Sequence, residues 1–277
     1  MKLESSDGKY AVYFSDASNM KEVANESVNL IVTSPPYGLA MNYGSKEGQI
    51  ECEINSFGDY DHFIFLLNKV WDECWRVLAP GGYAIINTNN TFARKVVFGE
   101  VFVFNTGYDL LKKWFSLGAF NKATMYWQGI RSSPKTLGSY PYPLEGSVKR
   151  EFEEIYVFRK PKNGAELSEE RKARRKASTM TAEEYKEIFT QLWKFNGANV
   201  ERHGDIVHPA PFPLELPMRC IRGYSVIDDV VLDPFLGTGT TMLAAKKLGR
   251  RCIGYELEEK FSPIIQEKTG IFVKALQ

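Results

Sequence analysis

Two short stretches of this chain combine residue types that can do chemistry together. The first is Thr33-Ser34-Pro35-Pro36-Tyr37-Gly38, which follows the apolar run VNLIV. Ser34 and Pro35 each precede a proline and are held extended, and neither proline can donate a backbone hydrogen bond. The exit from the strand is therefore stiff, and its carbonyls lack ladder partners. A short hydroxyl and a flat ring stand beside them at a strand's carboxyl end, where open α/β sheets place their ligands. Such a set of acceptors suits a planar group carrying an amino donor; the plainer reading is a proline-rich surface turn.

The second stretch is VVLDPFLGTGTTMLAAKKLG, beginning at Val230: a buried strand, an acid at its end, a glycine loop and an amphipathic helix. Gly237 and Gly239 let the backbone approach a ligand closely, and the amides that open the following helix favour an anion. Gly239-Thr240-Thr241 lacks the lysine of a Walker A loop, and Met242 stands where a dinucleotide fingerprint needs its third glycine. The next strand, RCIGYE, ends in Glu256, 19 residues after Gly237, where an acid can accept both hydroxyls of a ribose. A nucleoside whose other end carries a small charged group fits loop and acid together, and S-adenosylmethionine has that shape.

The elements that must position these residues alternate along the chain. Apolar runs predict strands at Tyr10 to Phe14, Val28 to Thr33, Tyr83 to Asn87, Glu154 to Arg159, Val230 to Asp233 and Cys252 to Tyr255. Apolar residues at helical spacing in DYDHFIFLLNKVWDECWRVL predict a crossover helix stopped at Pro80-Gly81-Gly82. The pattern is that of a mostly parallel α/β sheet. After Lys160 the chain turns polar and charge-dense, until EEYKEIFTQLWKF restores a short amphipathic helix; this region reads as an insert or arm, not sheet. Within it Arg171, Lys172, Arg174, Arg175 and Lys176 suit phosphate binding, although Glu169 and Glu170 just before them make a solvated helix face equally natural.

With 277 residues, 44% hydrophobic and 25% charged, the chain can bury a substantial core, as one large domain or one domain with an insert. A formal net charge of +1 gives no global attraction to a polyanion, so nucleic acid would have to be held by a local basic surface. Cys52, Cys74, Cys220 and Cys252 form no CxxC pair, and His62, His203 and His208 follow no zinc pattern, so reduced thiols and no structural metal are expected. No apolar signal segment opens MKLESSDGKY and no run approaches a membrane span, which leads us to expect a cytoplasmic protein without a membrane partner.

Both stretches resemble one family, the amino-group DNA methyltransferases that modify cytosine N4 or adenine N6. TSPPYGL is similar to their catalytic motif, in the serine form usual among the cytosine-N4 enzymes. DPFLGTGTT is similar to their cofactor loop, and HPAPFPLELP to the segment that covers the methionine end of the cofactor. YFSDASNM resembles the segment whose acid, here Asp16, approaches the adenine; RVLAPGGYAIINTNN, YWQG, LGSYPYP and EEIYVFRKP sit where the family has its middle motifs. The catalytic motif precedes the cofactor loop, the order of the family's permuted β group. The resemblance implies a Rossmann-like class I methyltransferase fold with helices on both faces of the sheet and circularly permuted motif order. It implies a catalytic half over 1–160, a small target-recognition insert over 161–204 and a cofactor-binding half over 205–277. The implied S-adenosylmethionine site comprises Asp16, Thr33, His208, Ala210, Phe212, Pro213, Asp233, Pro234, Phe235, Gly237, Thr238, Gly239, Thr240, Thr241 and Glu256.

The chemistry so implied needs acceptors. An exocyclic amino nitrogen is a poor nucleophile because its lone pair is delocalised into the ring, and it must pyramidalise and lose a proton. Ser34 Oγ and the Pro35 carbonyl are the candidate acceptors for the amino hydrogens, Pro35 and Pro36 hold them rigid, and Tyr37 stacks on an extruded base. Asn87, at the end of the neighbouring strand, is placed to orient Ser34, or is simply a strand-end hydrogen bonder. Methylation of cytosine N4 in DNA leads, alone or alongside a separate restriction endonuclease. Structured RNA such as ribosomal RNA as substrate, adenine N6 as target, and a catalytically silent binding subunit are the alternatives.

Overall fold

Strand β2 (Tyr10–Phe14), its hairpin partner β1 (Lys2–Glu4) and β3 (Val28–Thr33) open the fold in a computed structural model. The structure describes residues 1–36, 57–92, 98–100, 102–129, 151–162, 164, 168–198, 201–203, 206–208 and 213–270. Helix α1 (Phe57–Val77) follows because Tyr60, Phe63, Leu67, Val70, Trp71, Cys74 and Val77 recur at helical spacing and are all buried. It runs straight into β4 (Leu78–Thr88), so Pro80-Gly81-Gly82 is not the helix stop read from the sequence. The three residues form an irregularity within the strand: Val28 pairs with Leu78 but Leu30 already pairs with Tyr83, so five steps of β4 span two of β3. Gly81 has a φ of 77°, and a Cβ on Gly82 would lie 2.9 Å from the Asn29 carbonyl, so both positions require glycine.

The short pair β5 (Thr91–Phe92) and β6 (Val103–Phe104) leads to α2 (Thr106–Ser116), capped by the Asn105 side chain, and then to β7 (Phe120–Gly129) and β8 (Glu153–Arg159). Helices α3 (Glu169–Ala177) and α4 (Ala182–Ile188) and strand β9 (Leu192–Phe195) form the arm, followed by the hairpin of β10 (Glu201–His203) and β11 (Ile206–His208). The chain closes with α5 (Glu215–Tyr224), β12 (Val230–Asp233), α6 (Thr240–Lys247), β13 (Arg251–Glu256), a 3-10 turn and α7 (Ser262–Thr269).

Among the described residues nine strands make one sheet in the order β1-β2-β13-β12-β3-β4-β8-β7-β9. The run from β2 to β4 is parallel, and β8 reverses between β4 and β7. One face is covered by α1 and α2, where Trp114 stacks on Phe158 with ring centroids 4.9 Å apart. The other carries α5, α6 and α7, which pack Ile221, Met242 and Ile265 against Leu30, Val32 and Val231. Each such side chain contributes about 1.5–3 kcal/mol by leaving water. No described helix is long and apolar enough to cross a membrane.

The arm departs from the sequence reading. The expected helix over EEYKEIFTQLWKF ends at Ile188, and Leu192–Phe195 joins the sheet parallel to β7. Trp193 decides this: it is fully buried, its indole nitrogen donates to the Ile188 carbonyl at 3.0 Å, and the neighbouring Phe195 stacks on Trp127. Pairing at an open sheet edge satisfies backbone groups that a weak helical pattern leaves to water. The basic run departs too. Arg171 donates two hydrogen bonds, of 2.8 and 3.0 Å, to the buried carboxylate of Asp229, and Arg174 lies 3.8 Å from the same group. These two guanidiniums dock the arm on the domain body and are not turned outward for phosphate. Removing Arg171 strands a buried charge. We expect Arg171→Ala to lower unfolding stability in urea by about 3 kcal/mol, whereas Lys172→Ala, which breaks only the exposed pair with Glu169, should cost less than about 1 kcal/mol.

Candidate active site

The register of the parallel strands sets five carboxyl ends side by side. Thr33 pairs with Ile86, Asp233 with Gly254 and Glu256 with Phe14. The residues at or just beyond those ends are Asp16, Glu256, Asp233, Ser34 and Asn87, along the sheet edge at which α/β proteins bind ligands. Residues from the two ends of the chain meet there because β12 lies between β13 and β3.

Asp233 is the buried centre of this edge. Its carboxylate accepts from Thr33 Oγ1 at 2.7 Å, Thr241 Oγ1 at 2.6 Å and the Phe235 amide at 3.0 Å. Burial pushes the carboxyl up to about 6 even though all three donors favour the ionised form. The Thr33 and Thr241 hydroxyls thus face inward and tie the exit of β3 to the glycine loop. Pro234 is buried beside them, and Phe235 meets Trp71 edge to face at 5.9 Å.

The loop itself bends at Gly237 and Gly239, with φ of 55° and 85°. A Cβ on Gly254 would lie 2.5 Å from Leu236, so the neighbouring strand must carry glycine for the loop to seat. Thr238 and Thr240 are buried, and Lys268 Nζ donates to their hydroxyls at 2.9 and 3.4 Å; nothing in the sequence pointed to Lys268. Glu256 Oε2 accepts from the Gly237 amide at 2.7 Å and Oε1 from the Glu258 amide at 2.9 Å. Burial pushes this carboxyl up to about 7 against those amides. Each oxygen retains a lone pair, so the side chain is anchored yet able to accept a vicinal diol. Asp16 stands two residues beyond Phe14, the partner of Glu256, with Oδ1 accepting from the Ser18 amide at 2.8 Å. This donor and acceptor set fits a nucleoside-bearing cofactor.

On the catalytic side Ser34 is half-buried and Pro35 buried, and Pro35 and Pro36 line a cleft with Phe63, Leu67, Trp71 and Thr88. Asn87 is only 1% exposed, and its Nδ2 donates to Glu153 Oε2 at 2.9 Å. The sequence reading carried Glu153 only as the first residue of EEIYVFRKP and gave it no role, although it is an acid alternating with the buried Ile155 and Val157 of an apolar strand. Pro213 is buried ahead of α5, and His208 closes β11. Tyr37, Ala210 and Phe212 lie outside the described residues, as does the side chain of His208. The basic run stands elsewhere. Arg171 and Arg174 engage Asp229 at the amino end of β12, opposite the edge that carries Asp233; Lys172 pairs with Glu169 at 2.7 Å, and Arg175 and Lys176 are exposed.

Comparison with known proteins finds relatives over most of the chain. The family model described as DNA methylase matches residues 28–267. The Type II methyltransferase M.MjaI of Methanocaldococcus jannaschii is 34% identical, covering 96% of this chain and 93% of its own. M.MthZI of Methanothermobacter thermautotrophicus, another Type II methyltransferase, is also 34% identical, over 96% of this chain and 78% of its own. Among solved structures, the putative DNA modification methylase TTHA0409 of Thermus thermophilus, complexed with S-adenosyl-L-methionine, superposes with a TM-score of 0.72 at 32% identity, covering 94% of both chains. The cytosine-N4-specific PvuII DNA methyltransferase shares the fold, with a TM-score of 0.67 at 18% identity over 97% of this chain and 88% of its own. The fold is thus the Rossmann-like methyltransferase fold. Because the family match takes in both the strand-end serine and the glycine loop, together with most of the sheet between them, this chain belongs to the DNA methylase family.

Proposed function

We propose that this protein methylates the N4 amino group of cytosine in DNA, with S-adenosylmethionine as cofactor. The observation that carries the reading is the inward brace of Thr33 and Thr241 on Asp233, which holds the Ser34 acceptor in fixed relation to the glycine loop and Glu256. Glu256 takes the ribose hydroxyls, Asp16 the adenine, and the loop from Gly237 to Thr241 the methionine end. When bound, the cofactor supplies a sulfonium methyl group: an N–C bond forms as the S–C bond breaks, leaving a neutral thioether, and one amino proton passes to solvent.

Ser34 Oγ and the Pro35 carbonyl accept hydrogens from the target amino group as its nitrogen pyramidalises and gains positive charge. Acceptors that are fixed before the reaction stabilise that charge without reorganising. An amino group stacked inside a duplex is out of reach of acceptors fixed at a strand end, so in this reading the base is extruded and stacks on Tyr37. Cytosine is favoured because a hydroxyl and a carbonyl make a small acceptor pocket that a single ring reaches more easily than a purine. The Type II names of the relatives support DNA as the polymer and a modification role beside a separate endonuclease.

Glu256→Ala should weaken S-adenosylmethionine binding by about 1.5–3 kcal/mol, and calorimetry that shows unchanged affinity would reject the ribose assignment. Since the ionised carboxylate accepts both hydroxyls and burial pushes the Glu256 carboxyl up to about 7, affinity should strengthen as pH rises through that region and weaken below it. Ser34→Ala should slow methyl transfer on the order of a hundredfold while leaving cofactor affinity intact. Nucleoside mass spectrometry of duplex DNA and folded RNA treated with purified enzyme should show N4-methylcytosine in DNA. N6-methyladenine would overturn the choice of base, and product confined to RNA the choice of polymer.

A further inference from the structure

Glu153 lies outside both motifs, yet it makes the 2.9 Å contact that fixes Asn87. Strand β4 stands between β3 and β8 in the sheet, with Thr33 of β3 paired to Ile86 and Ile155 of β8 paired to Asn87. Glu153, two residues before Ile155, shares its face. The start of β8 is held in turn by the pairing of Glu153 with Trp127, a buried residue whose indole donates to the Phe195 carbonyl at 3.1 Å.

A carboxylate only accepts hydrogen bonds, whereas the two ends of an asparagine amide are nearly identical in shape and opposite in role. Facing Glu153, the amide must present its nitrogen to β8 and turn its oxygen to the β3 side, where the chain leads from Thr33 into Ser34. Flipped, it would direct N–H donors at Ser34 Oγ and occupy the lone pairs that the target amino group needs. We propose that Glu153 is a positioning residue for methyl transfer: it sets Asn87 so that Oδ1 faces the Ser34 hydroxyl and accepts its proton in a hydrogen bond, which leaves the lone pairs of Ser34 Oγ turned to the target amino group. This rests on the amino-methyltransferase reading above but holds for either base.

The test is transfer of labelled methyl groups from S-adenosylmethionine to duplex DNA, with cofactor binding and urea unfolding measured on each variant. Glu153→Gln leaves the orientation of Asn87 unspecified, and kcat should fall roughly tenfold with cofactor affinity and the KM for DNA unchanged. Asn87→Asp alone sets two carboxylates against each other and should lose more. Combined with Glu153→Gln it restores the contact with reversed polarity, the introduced amide donating to the introduced carboxylate, and kcat should rise above that of Asn87→Asp. Unchanged kcat in Glu153→Gln, or no recovery in the double variant, overturns the proposal. A wild-type protein that transfers no methyl group to DNA overturns the functional reading on which it rests.

Discussion

The buried carboxylate of Asp233 is the constraint around which the rest of this fold is arranged. A charge taken fully out of water is tolerated only where donors replace its hydration. Here the donors are two hydroxyls and an amide from β3, α6 and the loop between β12 and α6. Satisfying one side chain therefore brings together the exit of the serine strand and the glycine loop, which stand 200 residues apart in the case of Thr33 and Asp233. The same contacts that settle the charge align the half of the site that would act on a base with the half that would hold its methyl donor.

Strand β12 is bounded by a second buried acid at its other end. Asp229 accepts from the Val226 amide as well as from Arg171, and so anchors the arm on the edge of the sheet away from the site. Arg222 extends the attachment through the Ser178 carbonyl and Glu184. The two acids divide the work: one assembles the reacting edge, the other holds the chain that departs from it. The charges of Arg171 and Arg174 are thus spent within the molecule, while Lys172, Arg175 and Lys176 of the same helix stay at the surface.

The catalytic edge depends equally on the antiparallel strand β8. Because it reverses beside β4, the first residue of β8 comes level with the end of β4, and an acid is delivered to Asn87 from 66 residues away. A sheet that continued in parallel would place the end of another strand there. The side chains around the site are thus drawn from strands of both directions, and their placement follows from register, not from proximity in the chain.

Much of this was legible before the fold was known. Pro35 and Pro36 stiffen their strand exit by local sterics, Gly237 and Gly239 permit a positive φ, and the apolar spacing of α1 specifies its buried face; each depends on residues within a turn or two. The resemblance of the motifs placed Asp16 and Glu256 in one site, and the pairing of β2 with β13 sets the two strand ends beside each other. What the tertiary structure alone decided was the assignment of groups with more than one possible partner. The hydroxyls of Thr33 and Thr241 turned inward to Asp233, Arg171 and Arg174 turned to Asp229 in place of solvent, LWKF became an edge strand because Trp193 could be buried there, and Glu153 reached Asn87. Each choice is settled by burial and by competition for hydrogen-bond partners across the sheet, and local sequence carries no record of what lies across a sheet.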